Sequence, residues 1–244
     1  MAGLFPTKFK PLSQSAPLLQ FSGQRPLYLI TRLTLEHDTS TVIVFTGGTC
    51  LPVDGLPDSK AGWAFWHGVG PKDEPLVVSG RLETTGPFGD TWAQGRNRAE
   101  LRAVIGALRF RHWPSDGIRT LVIASSSEHV VETSTNYITT LVEFDYLKRG
   151  AGIKDWDLWH TLLFTIRQYQ KEGMAVQFWL IPREWNTVAV SAARKACAQE
   201  DAPSVWTDVV GRGPVLAPWV DSVDVPDEYS ETEVGSPRQP TPET

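Results

Sequence analysis

Between Thr41 and Glu83 three strand-like runs follow one another across short connections rich in Gly and Pro, and at Asn97 the apolar period changes from two to nearly four. No other feature limits the fold as much. The runs are Thr41–Thr46, Ala61–Val69 and Pro75–Glu83, rich in β-branched and aromatic side chains. Neighbouring short strands with tight connections favour an antiparallel meander. From Asn97 to Trp113 the apolar residues Leu101, Val104, Ile105 and Leu108 stand at i, i+3, i+4 and i+7, the spacing of one helix face. Pro114 and Gly117 end that helix.

Helix and strand then alternate. Thr120–Ala124 has the composition of a buried strand, and the Ser125 to Glu128 spacing fits a capping box that opens a helix. A second helix is expected from Asp155 to about Lys171, closed by Gly173, and a strand over Val176–Ile181, stopped by Pro182. The last helix runs from about Thr187 to Gln199, with Ala189, Ala192, Ala193, Ala196 and Cys197 on a small-residue face. The order predicts an α/β domain: a five-stranded mixed sheet, antiparallel meander plus parallel strands, with helices on both faces.

The chain divides by composition into an N-terminal arm over 1–40, partly flexible, a domain over 41–200, and an acidic, Pro-rich tail over 201–244 that is expected to be largely disordered. Residues 27–35 suit a strand or an arm lying on the body, and Trp206 and Trp219 could pin part of the tail. Charge separates the parts. The net charge is −5, but from Gln199 onward there are ten acids and two bases, so the preceding residues carry +3. A weakly basic body is compatible with a polyanionic partner.

Cys50 and Cys197 fit neither a zinc spacing nor a disulfide framework. No apolar run reaches transmembrane length, so no membrane partner is expected, and the start lacks a secretory signal. The expected location is cytoplasmic or nuclear. A mitochondrial address is a weaker alternative: the first 35 residues have four bases and no acid, but Pro6, Pro11, Pro17 and Pro26 interrupt any helix there.

Five stretches in this order resemble the type 1 ribonuclease H family: Phe45–Cys50, Ser79–Glu83, Gly95–Leu108, Ser125–Glu132 and Ile181–Ala196. The segment Asn97-Arg98-Ala99-Glu100-Leu101 is the most specific. The resemblance implies a ribonuclease H-like fold over roughly 41–200 and an activity that cuts the RNA strand of RNA–DNA hybrids. It also implies four acidic residues that hold two divalent cations, Mg2+ or Mn2+, one activating water and one stabilising the leaving oxygen.

Position by position, the resemblance leaves one acid. Glu100 follows Arg98-Ala99 as in the family. Gly47 stands at the first Asp, Ser126 at the second and Val190 at the last. Thr-Asn before the helix motif is replaced by Gly95-Arg96, and no His precedes the final helix in Pro182–Asn186. Taken without the resemblance, Glu100 is an ordinary exposed helix glutamate, Gly47 a strand-end residue with backbone freedom, and Ser125–Ser127 a cap. Asp54, Asp90, Glu128 and Glu184 are the acids nearest in sequence to the lost positions.

The expectation is therefore a catalytically impaired protein with Glu100 as a weak metal position and no cofactor otherwise. It would bind RNA–DNA hybrid or structured RNA through Arg96, Asn97, Arg98, Lys148 and Arg149. Two alternatives stand beside it: an active hybrid nuclease with relocated metal ligands, and a protein-interaction module that recruits its partner through the acidic tail.

Overall fold

The computed structural model describes residues 6–27, 30–52, 59–138, 154–199 and 201–211. Strand β1 (Thr7–Lys8) and a single helical turn α1 (Pro17–Gln20) lead into β2 (Gly23–Leu27) and β3 (Ile30–Leu35). The meander follows as β4 (Asp38–Leu51), β5 (Lys60–Val69) and β6 (Pro75–Arg81). Then come α2 (Arg96–Arg109), β7 (Thr120–Ser125), the short α3 (Glu128–Glu132), α4 (Trp156–Lys171), β8 (Ala175–Leu180) and α5 (Thr187–Cys197).

One mixed sheet carries all eight strands. The five expected from the sequence form its body. Strand β4 pairs antiparallel with β5 from Phe45 to Leu51, and β5 with β6. On its other side β4 runs parallel to β7, Thr41 opposite Thr120 through Thr46 opposite Ser125, and β7 runs parallel to β8.

The sheet is wider than the five strands expected, because the N-terminal arm enters it at both sides. β1 adds to the β8 edge in parallel, while β2 and β3 form a hairpin beside β4 and β5. Between these strands the arm crosses one face of the sheet, where Phe9 and Phe21 pack on Trp179 with centroids 5.0 and 6.3 Å away. Phe21 is buried with Ile43, Phe45, Trp66 and Ala189.

Alternation along β4 sorts the two faces. Val42 and Val44 point into the larger core with α2 and α4, whereas Ile43 and Phe45 point towards α5 and the arm. Helix α2 is buried on every side from Arg98 to Leu108, although its pattern reads as amphipathic. Its would-be solvent face is covered by α4 and by residues 201–211. Arg102 explains how a charge tolerates this. Its guanidinium bonds Glu83, donates to the Thr207 carbonyl at 2.8 Å, and lies between the rings of Trp63 and Trp206. The tail therefore begins as a strap on the body; residues 212–244, expected to be disordered, lie outside the described residues.

The cap of α3 also differs from expectation. Ser127, not Ser125, is the N-cap and accepts from the Val130 amide at 3.4 Å. Ser125 ends β7, and its hydroxyl accepts from the Ser127 amide. No described helix is long and apolar enough to cross a membrane.

Candidate nucleic-acid site

The parallel pairing of β4 with β7 ends at Thr46 and Ser125, and the next residues, Gly47 and Ser126, stand where the two strands part. Helices α2 and α5 close on β4 there from opposite faces. A methyl group placed on Gly47 would lie 3.1 Å from both the Ala189 carbonyl carbon and the Val190 nitrogen of α5. One placed on Gly48 would lie 2.6 Å from the Ala99 carbonyl carbon and 2.8 Å from the Glu100 Cα of α2. Gly47 is thus not a strand-end residue with backbone freedom. It lies inside β4 with no left-handed φ, and its use is to let α5 approach.

Asn186, buried just before α5, links β4 to the residue that follows β7. Its amide donates to the Thr46 carbonyl at 2.8 Å and meets the Ser126 hydroxyl at 3.4 Å. Val190 follows one turn later, 9% exposed and apolar.

Glu100 comes from the first buried turn of α2. Its side chain is 1% exposed, and neither carboxylate oxygen has a side-chain hydrogen-bond partner. Arg96, half-exposed one turn earlier, holds its Nε 3.9 Å from Oε1. Burial pushes the Glu100 carboxyl up to about 7, against the opposing pull of the Gly48 amide, Arg96 and Arg183. The reading of Glu100 as an ordinary exposed helix glutamate is therefore wrong. It is a buried acid with Arg96 close by and within the electrostatic reach of Arg183.

The predicted contact residues do not all reach this site. Arg96 and Asn97 are exposed on the first turn of α2. Arg98 is not a phosphate contact. It is 2% exposed and bonds Asp157 through both guanidinium nitrogens at 2.8 and 2.7 Å, and Asp155 at 3.2 Å, with Trp92 over its face. A guanidinium closed on a bidentate carboxylate has no fork left for a phosphate. Lys148 and Arg149 lie outside the described residues. Arg183 is the site residue that the sequence reading missed: it sits in a 3-10 turn before α5, exposed, and acts on Glu100 across the chain fold.

The donors present do not fit a pair of divalent cations. Such a site needs several hard oxygen ligands converging at about 2.0–2.1 Å. Here the four positions are a glycine packed against helix backbone, a serine hydroxyl engaged with Asn186, a valine and one carboxylate. Of the acids nearest the lost positions, Glu128 and Glu184 are exposed, Asp90 lies in the loop before α2, and Asp54 is outside the described residues. Among the described residues no three His, Cys, Asp or Glu side chains cluster as metal ligands.

A meander of three antiparallel strands has its first strand parallel to a fourth, and that to a fifth. Helices cover both faces, and a helix glutamate lies beside the first strand. The chain has a ribonuclease H-like fold. No family model matches it, and no curated protein is similar in sequence. Among solved structures, a foamy virus protease-reverse transcriptase in complex with RNA/DNA hybrid is similar at 15% identity over 64% of this chain and 20% of that one, TM-score 0.46. The prototype foamy virus protease-reverse transcriptase carrying the CSH mutation gives 16% identity, 65% and 21% coverage, and a TM-score of 0.48. RNase H1 from the archaeon Halobacterium salinarum gives 19% identity, 64% and 96% coverage, and a TM-score of 0.35. This ribonuclease H-like chain thus spans about a fifth of the viral proteins it matches. Its fold is read from its own strand order.

Proposed function

We propose that the chain binds nucleic acid, RNA–DNA hybrid or structured RNA, in the cleft between the starts of α2 and α5, without two-metal hydrolysis. One observation carries this reading: Glu100 is a lone buried acid where the fold would gather four, and the charges closest to it are those of Arg96 and Arg183. Four carboxylates repel a phosphate unless metals neutralise them; at an effective dielectric of about 20, two like charges 5 Å apart cost roughly 3 kcal/mol. With three of them gone and the last one largely protonated below about pH 7, the cleft presents arginine to the backbone. Arg96 and Asn97, exposed at the N-terminus of α2, suit phosphate and sugar contacts, which position a duplex without reading its sequence.

The test is binding and cleavage measured on the same labelled hybrid, in Mg2+ and in Mn2+. Binding that weakens steeply with salt, with intact RNA recovered after incubation, is the expected result. Arg96→Glu is expected to weaken binding and Glu100→Gln to leave it intact. Cleavage lost in Glu100→Ala would instead establish an active nuclease.

A further inference from the structure

The inner face of α4 is core: Leu158, Trp159, Leu162, Ile166 and Tyr169 are all buried. Its outer face should be polar, as for any surface helix. Here only part of it is: Trp156, His160, Phe164, Arg167 and Lys171 line it at i, i+4, i+8, i+11 and i+15, three rings followed by two cations. Phe164 is 42% exposed. At the N-terminal end, Phe88 from the connection before α2 completes the row. It is 37% exposed and stacked on Trp156, centroids 5.3 Å apart and planes 10° from parallel. His160 meets Phe88 edge-on at 5.4 Å.

The row is electrically one-sided. Asp157 is turned inward onto Arg98, and Glu172, which follows the helix, is directed at His112 with its carboxylate 2.8 Å from the ring nitrogen. Asp90 is the acid nearest to Phe88 in sequence. His160 is held below its ordinary protonation range by partial burial and by Arg167, so it presents an aromatic ring and not a charge. From Trp156 to Lys171 the stripe extends about 22 Å, at the helical rise of about 1.5 Å per residue.

We propose that this stripe is a second contact surface, for a single-stranded stretch of nucleic acid, with bases stacked on the rings and phosphates against Arg167 and Lys171. Only an unpaired base can offer its face to a ring, because a duplex stacks its bases on one another. A stripe that is aromatic at one end and basic at the other, with no acid among its own six side chains, complements a polyanion with flat apolar groups. The proposal shares with the reading above the idea that this chain meets nucleic acid, but it does not use the cleft.

Fluorescence anisotropy with the full chain separates the two. The probes are a labelled oligo-dT, an oligo-U and a hybrid duplex of the same length. Phe88→Ala and Phe164→Ala, both at exposed rings and checked for native circular dichroism, are expected to weaken single-strand binding by roughly tenfold each. Arg167→Glu with Lys171→Glu should weaken it further and flatten its salt dependence. Hybrid binding should be unchanged in all of these and reduced in Arg96→Glu. Single-strand binding that is absent, or equal in wild type and both Phe variants, overturns the stripe. So does concentration-dependent self-association through these rings without oligonucleotide binding. Loss of hybrid binding alone would remove the cleft reading and leave the stripe standing.

Discussion

The Val190 amide nitrogen packs so closely on Gly47 that a methyl group there would sit 3.1 Å from it. Strand β4 and helix α5 therefore meet backbone to backbone, with no room between them for a side chain at position 47.

The two glycines differ in tolerance, which gives a first prediction. Gly47→Ala forces α5 back by a few tenths of an ångström and is expected to cost about 1 kcal/mol. Gly48→Ala drives a methyl into the backbone of α2, 2.6 Å from the Ala99 carbonyl carbon, and should cost about 3 kcal/mol or prevent folding. Denaturant unfolding of the two variants checks the order.

Glu100 ties stability to pH. Its folded carboxyl is raised from 4.5 to about 7, so its protonated form is favoured in the native state. That contribution is fully present below about pH 4.5 and is lost as pH rises to about 7. The loss should reach about 3 kcal/mol, at roughly 1.4 kcal/mol per pH unit. Glu100→Gln should therefore match wild type near pH 4.5 and exceed its stability by about that amount at pH 8. Parallel stability curves for the two proteins would contradict the raised value.

His67 works in the opposite direction. Burial, then Arg32, lowers it from 6.5 to about 3, and Arg32 donates to its Nδ1, so the proton sits on Nε2. Its contribution is present above about pH 6.5 and is lost as pH falls towards 3. In a histidine-resolved NMR titration its ring signals should not move between pH 8 and pH 5. A midpoint near 6.5 would show that the Arg32 contact does not persist in solution.

Arg98 offers a test of burial against binding. Removing Asp157 leaves the guanidinium buried with Asp155 alone, and Asp157→Ala is expected to destabilise the fold by about 3–5 kcal/mol. Arg98→Ala should lose stability comparably. If instead it lowered only nucleic-acid affinity, Arg98 would be reaching solvent.

Arg98 also shows where sequence reading fails. Arg98 and Arg102 stand four residues apart on a helix whose apolar face is obvious, so they read as a solvent face. Their partners, Asp157, Glu83 and Trp206, are far along the chain, and nothing local announces them. The five body strands and the helices from α2 onward were legible from local period and capping, whereas the single turn α1 lies in a stretch that reads as a flexible arm. β1 and β2 were not. One has two residues and the other reads Gly-Gln-Arg-Pro-Leu, and only the edges they add to make them strands. At the candidate site, order and spacing single out Glu100, Gly47, Ser126 and Val190 through the resemblance alone. That Glu100 is buried beside Arg183 depends on how α2 and α5 meet.

The most direct measurement is incubation of the full chain with an RNA–DNA hybrid in Mg2+ or Mn2+, with bound and cleaved fractions read from the same sample. The expected result is hybrid bound in a salt-sensitive complex with its RNA strand intact, in wild type and in Glu100→Gln alike. Metal-dependent cutting of the RNA strand, abolished by Glu100→Ala, would contradict it.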